Sequence, residues 1–366
     1  MILRRNAKSL NVAEKKAFTD AVLSLKRKTG TLHSEKIQSR YDDYVEVHLK
    51  AMMAMGTPSI PNWGHQASAF GPWHRVLLSH FESDLRLIDS SVSLPYWDWT
   101  DQACTDAVFS SDFLGGNGRD QDGQVMDGPF AFASNNWTVV IKDDDTGPDF
   151  LYRAFGKGDG AQSLPNAQMQ SKTMAMTAYD EAPWYDMQRS RTQMLRDLDA
   201  FFRPSLEVDL HNLVHRYIGG NMVWAASPND PVFFLHHCNL DRLWSLWEQK
   251  VGVVLWYAPM HNGPAGQSGD QPLIFHAPPD AGPWLGDSKP EDVYDSRRQI
   301  GVGYDTDTIE AATTLLAHSM IAPAMKMQMQ PSMMYPLHSE IADEKMKPMR
   351  MFPLRAEIER SSGSTP

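Results

Sequence analysis

Apolar side chains fall at helical spacing in several separate stretches of this chain. Residues 11–28 set Phe18, Val22, Leu23 and Leu25 as a stripe among Lys, Glu and Asp, with Asn11 placed to cap the first turn, and so predict a helix. A second helix is predicted over 40–55, with His48 near its middle. A third opens at Trp73 and turns Leu77, Leu78, Phe81 and Leu85 to one face. Residues 188–203 read as helical again. The stretch from His211 to Trp247, HNLVHRYIGGNMVWAASPNDPVFFLHHCNLDRLWSLW, reads as two helices joined by a loop holding Gly219, Gly220, Pro228 and Pro231. Residues 100–190 follow neither the helical nor the strand period and are rich in Gly, Asp, Asn and Pro. Segments of that kind wrap a core or shape a site.

The predicted helices carry a pattern of histidines. His211 and His215 are four apart and share one helix face, and His236 and His237 open the next helix. A zinc peptidase needs a glutamate between such a pair as its general base. Here the neighbour is Asn212, which cannot take a proton, so a zinc hydrolase is not expected. A second cluster lies upstream in His48, His65 and His74. Two all-imidazole groups without matching carboxylates or cysteines suggest two metal centres. Imidazole suits zinc, copper, iron and nickel. A di-iron bundle would need Glu-x-x-His pairs, which are absent near both clusters, and this favours copper. His80 lies six past His74 and points elsewhere on a helix; His261 and His276 have no partner at ligand spacing.

The segments WGHQASAFGPWHRVLLSHFE, LHNLVHRYIGGNM and SPNDPVFFLHHCNLDRLW, together with RRNAKSL near the start, LPYWDW at Leu94–Trp99, DGPFA at Asp127–Ala131 and GVGYD at Gly301–Asp305, carry a resemblance. Over about residues 3–305 the chain resembles the bacterial tyrosinases, of the type-3 copper family that includes catechol oxidases, o-aminophenol oxidases and haemocyanins. The resemblance implies a mainly α fold, a four-helix bundle enclosing a dinuclear copper site with long irregular loops. It implies two copper ions, CuA on His48, His65 and His74 and CuB on His211, His215 and His237, the second histidine of the pair being the family's ligand. It implies O2 as co-substrate, small phenols as substrates, and ortho-hydroxylation of monophenols followed by oxidation of o-diphenols to o-quinones. Two other readings stay open: an o-diphenol or o-aminophenol oxidase without monophenol activity, and a haemocyanin-like oxygen binder. In the family an Asn after the first CuB histidine and an upstream Glu hold a water as base. Asn212 matches, and Glu207 is the upstream Glu, at a shorter spacing than in typical bacterial members. Phe233 is expected as a lid over the metals, with Arg216, Asn221, Val223, Trp224 and Ala225 at the entrance.

Composition narrows the setting. A formal net charge of −11 argues against a nucleic-acid partner. No apolar run reaches membrane-spanning length, so no membrane partner is expected. Cys104 and Cys238 are the only cysteines, too few for a disulfide framework. Neither lies near His65, so the cysteine–histidine thioether of some relatives is not expected. The first residues lack an apolar segment followed by a cleavage site, which predicts a cytoplasmic protein, or one exported with a carrier. A copper-delivery protein is a further expected partner. The run Asp143–Asp145 reads as a solvated turn.

Two regions are expected: a catalytic domain over 1–305 and an extension over 306–366. Nine methionines lie between Met320 and Met351. They read as apolar packing, or as thioether ligands for Cu(I). The family resemblance adds a third reading, a plug over the site made by Tyr335 or Phe352.

Overall fold

The computed structural model describes residues 1–32, 39–53, 62–132, 136–143, 146–157, 161–252, 257–275, 288–307 and 354–360. Helix α1 spans Val12–Arg27. It begins with the expected cap: the Asn11 side chain accepts from the Glu14 N–H, and the Glu14 carboxylate accepts from the Asn11 N–H. Helix α2 spans Arg40–Met53. Helix α3 spans Phe70–Ile88, three residues earlier than the pattern predicts. Pro72 is tolerated there because the first-turn N–H groups of a helix have no intrahelical acceptor.

The stretch 100–190, expected to be irregular, holds two short helices, α4 (Gln102–Val108) and α5 (Ala167–Ala175), with largely irregular chain between them. The helix expected over 188–203 is instead two pieces, α6 (Arg191–Asp197) and α7 (Phe202–Ser205). The break has a cause. Phe202 and Arg203 give their N–H groups to the carbonyls of Ala178 and Tyr179, and this bridge pulls the chain off the helical axis. A π-helical turn over Leu206–His211 leads into α8 (Asn212–Ile218), and α9 runs from Val232 to Val251.

Helices α2, α3, α8 and α9, with the π turn, surround the core that holds the histidines. Phe81 of α3 stacks on Phe234 of α9 at 3.6 Å between ring centroids, and Tyr44 of α2 meets Phe81 edge-on at 5.1 Å. The first residues and those near 303 meet in a parallel pair, β1 (Ile2–Arg4) with β2 (Val302–Tyr304). This pair feeds Arg4 into a buried ionic hub. Arg4 reaches Glu82 of α3 (2.9 Å) and Asp241 of α9 (3.0 Å); Arg75 of α3 also binds Asp241, reaches Glu248 at 3.2 Å, and lies 3.6 Å over the Trp244 ring. Arg75 and Glu82 therefore form structural ion pairs between elements.

A last helix, α10 (Arg355–Arg360), returns to the core. Arg355 bonds Asp199 (2.9 Å) and Asp209 (3.0 Å), and Glu357 pairs with Arg216. The methionine-rich stretch with Tyr335 and Phe352, and His276, lie outside the described residues. Among the described residues no helix is long and apolar enough to cross a membrane. Cys104 and Cys238 are buried and free; burial pushes their thiols up to about 11 and about 12, so neither is a thiolate at neutral pH.

Candidate metal centre

Three imidazoles meet on one side of the core. His48 projects from α2, and its Nδ1–H donates to the carbonyl of Ala225 (2.6 Å). His74 sits one turn into α3 and donates its Nδ1–H to the carbonyl of Phe70 (2.8 Å). His65 comes from the loop before α3, its backbone N–H held by the Asn62 side chain (3.0 Å). Its ring centre lies 5.1 Å from that of His48 and 4.8 Å from that of His74. One ring nitrogen from each of the three lies within 4.8 Å of the others.

The second group stands across from the first. His211 closes the π turn and His215 lies in α8; Nδ1–H of His211 donates to Asn212 Oδ1 (2.8 Å) and Nδ1–H of His215 to the carbonyl of Met222 (2.7 Å). The glycine pair after α8 makes the second bond possible. Gly219 and Gly220 have φ of 66° and 55°, which turns the chain back so that Met222 faces His215. His236 and His237 enter from α9, and these two with His211 and His215 again bring ring nitrogens within 4.8 Å. The two groups touch: the rings of His74 and His237 stack at 4.2 Å.

All seven imidazoles are buried. Burial first, and mutual repulsion after it, hold them neutral; His48 is lowered to about 4, chiefly by burial. A neutral imidazole with its Nδ1–H tied to a carbonyl has its Nε2 lone pair free for a metal. The Nε2 atoms of His48, His74 and His211 are buried and find no partner among the described residues, and Nε2 of His215 faces Nε2 of His237 at 3.4 Å. Buried lone pairs converging without donors fit two metal ions, and an all-nitrogen donor set fits copper.

Glu207, Asn212 and Phe233 lie beside this centre. Glu207 is neither an exposed residue nor a helix cap. It is buried in the π turn, where Oε1 accepts the Gln66 N–H (2.6 Å) and Oε2 accepts from Arg203 (3.0 Å). Gln66 has a φ of 55°, so Glu207 fixes the strained residue next to His65. Burial pushes the Glu207 carboxyl up to about 8, against the pull of Arg203. Asn212 is buried, with its Nδ2 unpartnered among the described residues. Phe233 lies against both groups, 4.9 Å from the His48 ring and 4.1 Å from His237.

The expected entrance residues divide. Ala225 holds His48 through its carbonyl, and Arg216 is engaged by Glu357 of α10. Val223 and Trp224 are partly exposed. Asn221 accepts the Tyr152 N–H (2.9 Å) and Trp224 donates to the Tyr152 hydroxyl (2.7 Å). These two line a pocket of about 120 Å³ whose walls include no histidine among the described residues. Three further contributors carry no signal of their role in the sequence. Phe70 packs on His74 and His211 at 4.9 and 5.0 Å. Asp143 accepts the N–H groups of Ala225 and Ala226 (both 2.7 Å), so it anchors the loop whose Ala225 carbonyl holds His48 and is not a solvated turn residue. Trp99 donates to His236. All three stand in segments that the sequence singles out, as part of a motif or an acidic run, but nothing local shows what they touch. His261 pairs with Asp270 at the surface, away from both groups.

Comparison with known proteins gives a consistent picture. Residues 38–250 match the family model for the common central domain of tyrosinase. A tyrosinase of Streptomyces antibioticus is 42% identical over 255 residues, covering 68% of this chain and 84% of that protein. A tyrosinase of Streptomyces lincolnensis is 36% identical over 312 residues, covering 84% and 100%. Grixazone synthase of Streptomyces griseus subsp. griseus is 34% identical over 283 residues, covering 70% and 87%. Among solved structures, a polyphenol oxidase variant from Thermothelomyces thermophila shares the fold, with a TM-score of 0.56 at 21% identity over 83% of this chain and 88% of that one.

Proposed function

The chain belongs to the tyrosinase family and is a copper-dependent oxidase of phenols, and from that premise we propose that His48, His65 and His74 hold CuA while His211, His215 and His237 hold CuB. The observation that carries the assignment is the convergence of buried, neutral imidazole nitrogens in two touching groups. When bound, a pair of copper ions supplies two electrons to O2 together. The protein's own part is positional. Carbonyls of Ala225, Phe70 and Met222 and the side chain of Asn212 aim the rings, and Phe70 and Phe233 pack beside them. Imidazole ligands bring no negative charge, which keeps Cu(I) accessible.

For the hydroxylation of a monophenol, the phenol must lose its proton. The proposed acceptor is a water held by Asn212 and Glu207, supported by the unpartnered Asn212 Nδ2 and the burial of Glu207. A second reading, an o-diphenol or o-aminophenol oxidase, has one observation in its favour: both oxygens of Glu207 are already engaged, by Gln66 and Arg203. Oxygen uptake by the copper-loaded protein separates the two. Uptake with tyramine and with the matching catechol supports the first reading. Uptake with the catechol alone establishes the second and ends the water-holding role.

The catalytic unit is proposed to be residues 1–305, with 306–366 as an extension. The ligand histidines are at most 4% exposed, which supports a copper-delivery protein as partner. Full reconstitution by free copper within minutes would remove that need. Such a carrier also fits export, with a cytoplasmic location as the alternative.

A further inference from the structure

Seven imidazoles surround a site that needs six, and His236 and His237 are neighbours on α9. We propose that Trp99 locks His236 in the tautomer that carries its proton on Nε2, so that His236 stays off the metal and positions His211, leaving His237 as the ligand. The proposal rests on the copper assignment above and deepens it.

The argument starts from what an indole can do. Trp Nε1–H donates and never accepts. Trp99 Nε1 lies 3.0 Å from His236 Nδ1, and both side chains are buried. His236 Nδ1 must therefore present its lone pair, and the ring's one proton sits on Nε2. Four of the other imidazoles show the reverse arrangement. His48, His74, His211 and His215 each give the Nδ1 proton to an oxygen, which leaves Nε2 bare. A carbonyl and an indole N–H on the same ring position write opposite instructions.

The indole is itself fixed. Trp99 ends the LPYWDW segment, which is tied to the first turn of α9 by a bond from the Trp97 N–H to the Leu235 carbonyl (3.1 Å). The donor is thus registered against the residue just before His236. On its far side the His236 ring stacks on His211 at 5.3 Å and 18°. Its Nε2 is buried and completes no hydrogen bond among the described residues. The stacked His211 ends the π turn, where the usual helical bonding is interrupted. His236 therefore spans from Trp99 to the residue that supplies the first CuB ligand. It has a shape that could compete for copper and a proton placement that forbids it.

The test uses the full chain with 15N-labelled histidine, loaded with Cu(I) under argon so that the metal is diamagnetic. Long-range proton–nitrogen correlation reads which ring nitrogen is protonated, and the Trp99 indole proton identifies His236 through space. The expected spectrum has His236 protonated on Nε2 with Nδ1 bare, and W99F raises the population protonated on Nδ1. His236→Gln, which offers an acceptor and a donor but no imidazole, is expected to keep both coppers, while His236→Leu weakens the second copper about tenfold by loosening His211. A proton on Nδ1 of His236 in the wild type, or loss of the second copper in the Gln variant, overturns the proposal. Copper content distinguishes this from failure of the site itself: two coppers with the wrong tautomer sink only the lock, whereas fewer than two in the wild type sinks the dicopper reading whatever the tautomer.

Discussion

At the scale of single residues, burial decides how the histidines behave. The folded pKa of His48 lies at about 4, below the ordinary value of 6.5, so its neutral form stabilises the fold fully above 6.5 and that contribution is lost as pH falls through about 4. Without copper, the protein should therefore lose stability on acidification below about pH 6.5, by up to about 1.4 kcal/mol per pH unit for each such imidazole. Copper should push the loss to lower pH, because protons and metal compete for the same lone pairs. Urea midpoints at several pH values, with and without copper, check this; a metal-free midpoint that climbs on acidification contradicts it. Glu207 offers a second test. Glu207→Gln is expected to cut tyramine oxidation at least about tenfold while catechol oxidation stays within about twofold. Equal losses on both substrates would mean that Glu207 acts only by holding Gln66 and the His65 loop. The histidines are legible in the sequence because only a few side chains bind metal, and their spacing on helices is geometric. The carbonyls of Ala225, Phe70 and Met222 that aim them are not, since every residue has a carbonyl.

At the scale of elements, the helices with a clear apolar face show in the sequence, and their irregularities do not. The start of α3 at Phe70 is hidden because Pro72 reads as a loop residue unless it falls in a first turn. The break between α6 and α7 depends on a bridge to Ala178 and Tyr179, a long-range pairing without a local signal. The π turn over Leu206–His211 is likewise invisible to a helical period, yet it carries Glu207 and His211. The Gly219–Gly220 turn is visible as a pair of glycines, and the structure supplies the reason. A Cβ on Gly220 would meet the Tyr152 carbonyl at 2.0 Å, on a backbone with positive φ. Gly220→Ala should cost at least about 2 kcal/mol and loosen His215, because the turn presents the Met222 carbonyl. Thermal melting and copper content together measure this. Unchanged melting would show that the turn adapts.

At the scale of the whole molecule, segments far apart in the sequence, around Arg4 and Tyr304, are tied to the helical core. Strands β1 and β2 bring Arg4 and Tyr304 to Asp241, which also holds Arg75 one residue past His74. Losing one partner of a buried ionic group leaves uncompensated charge, so Asp241→Ala should destabilise the protein by about 3 kcal/mol or more in urea unfolding. A loss within about 0.5 kcal/mol would mean that the hub rearranges around the gap. The sequence shows the segments RRN, DRLW and GVGYD but not that they converge, because the convergence is set by topology. Helix α10 stands apart from this hub and meets the molecule at another edge, through Arg355 and through Glu357 beside Arg216. The central claim is tested most directly by the copper content of the purified full chain and two variants. Two coppers per chain, with His74→Asn and His211→Asn each retaining close to one, is the predicted result. Fewer than two in the wild-type chain, or both coppers kept in either variant, would contradict it.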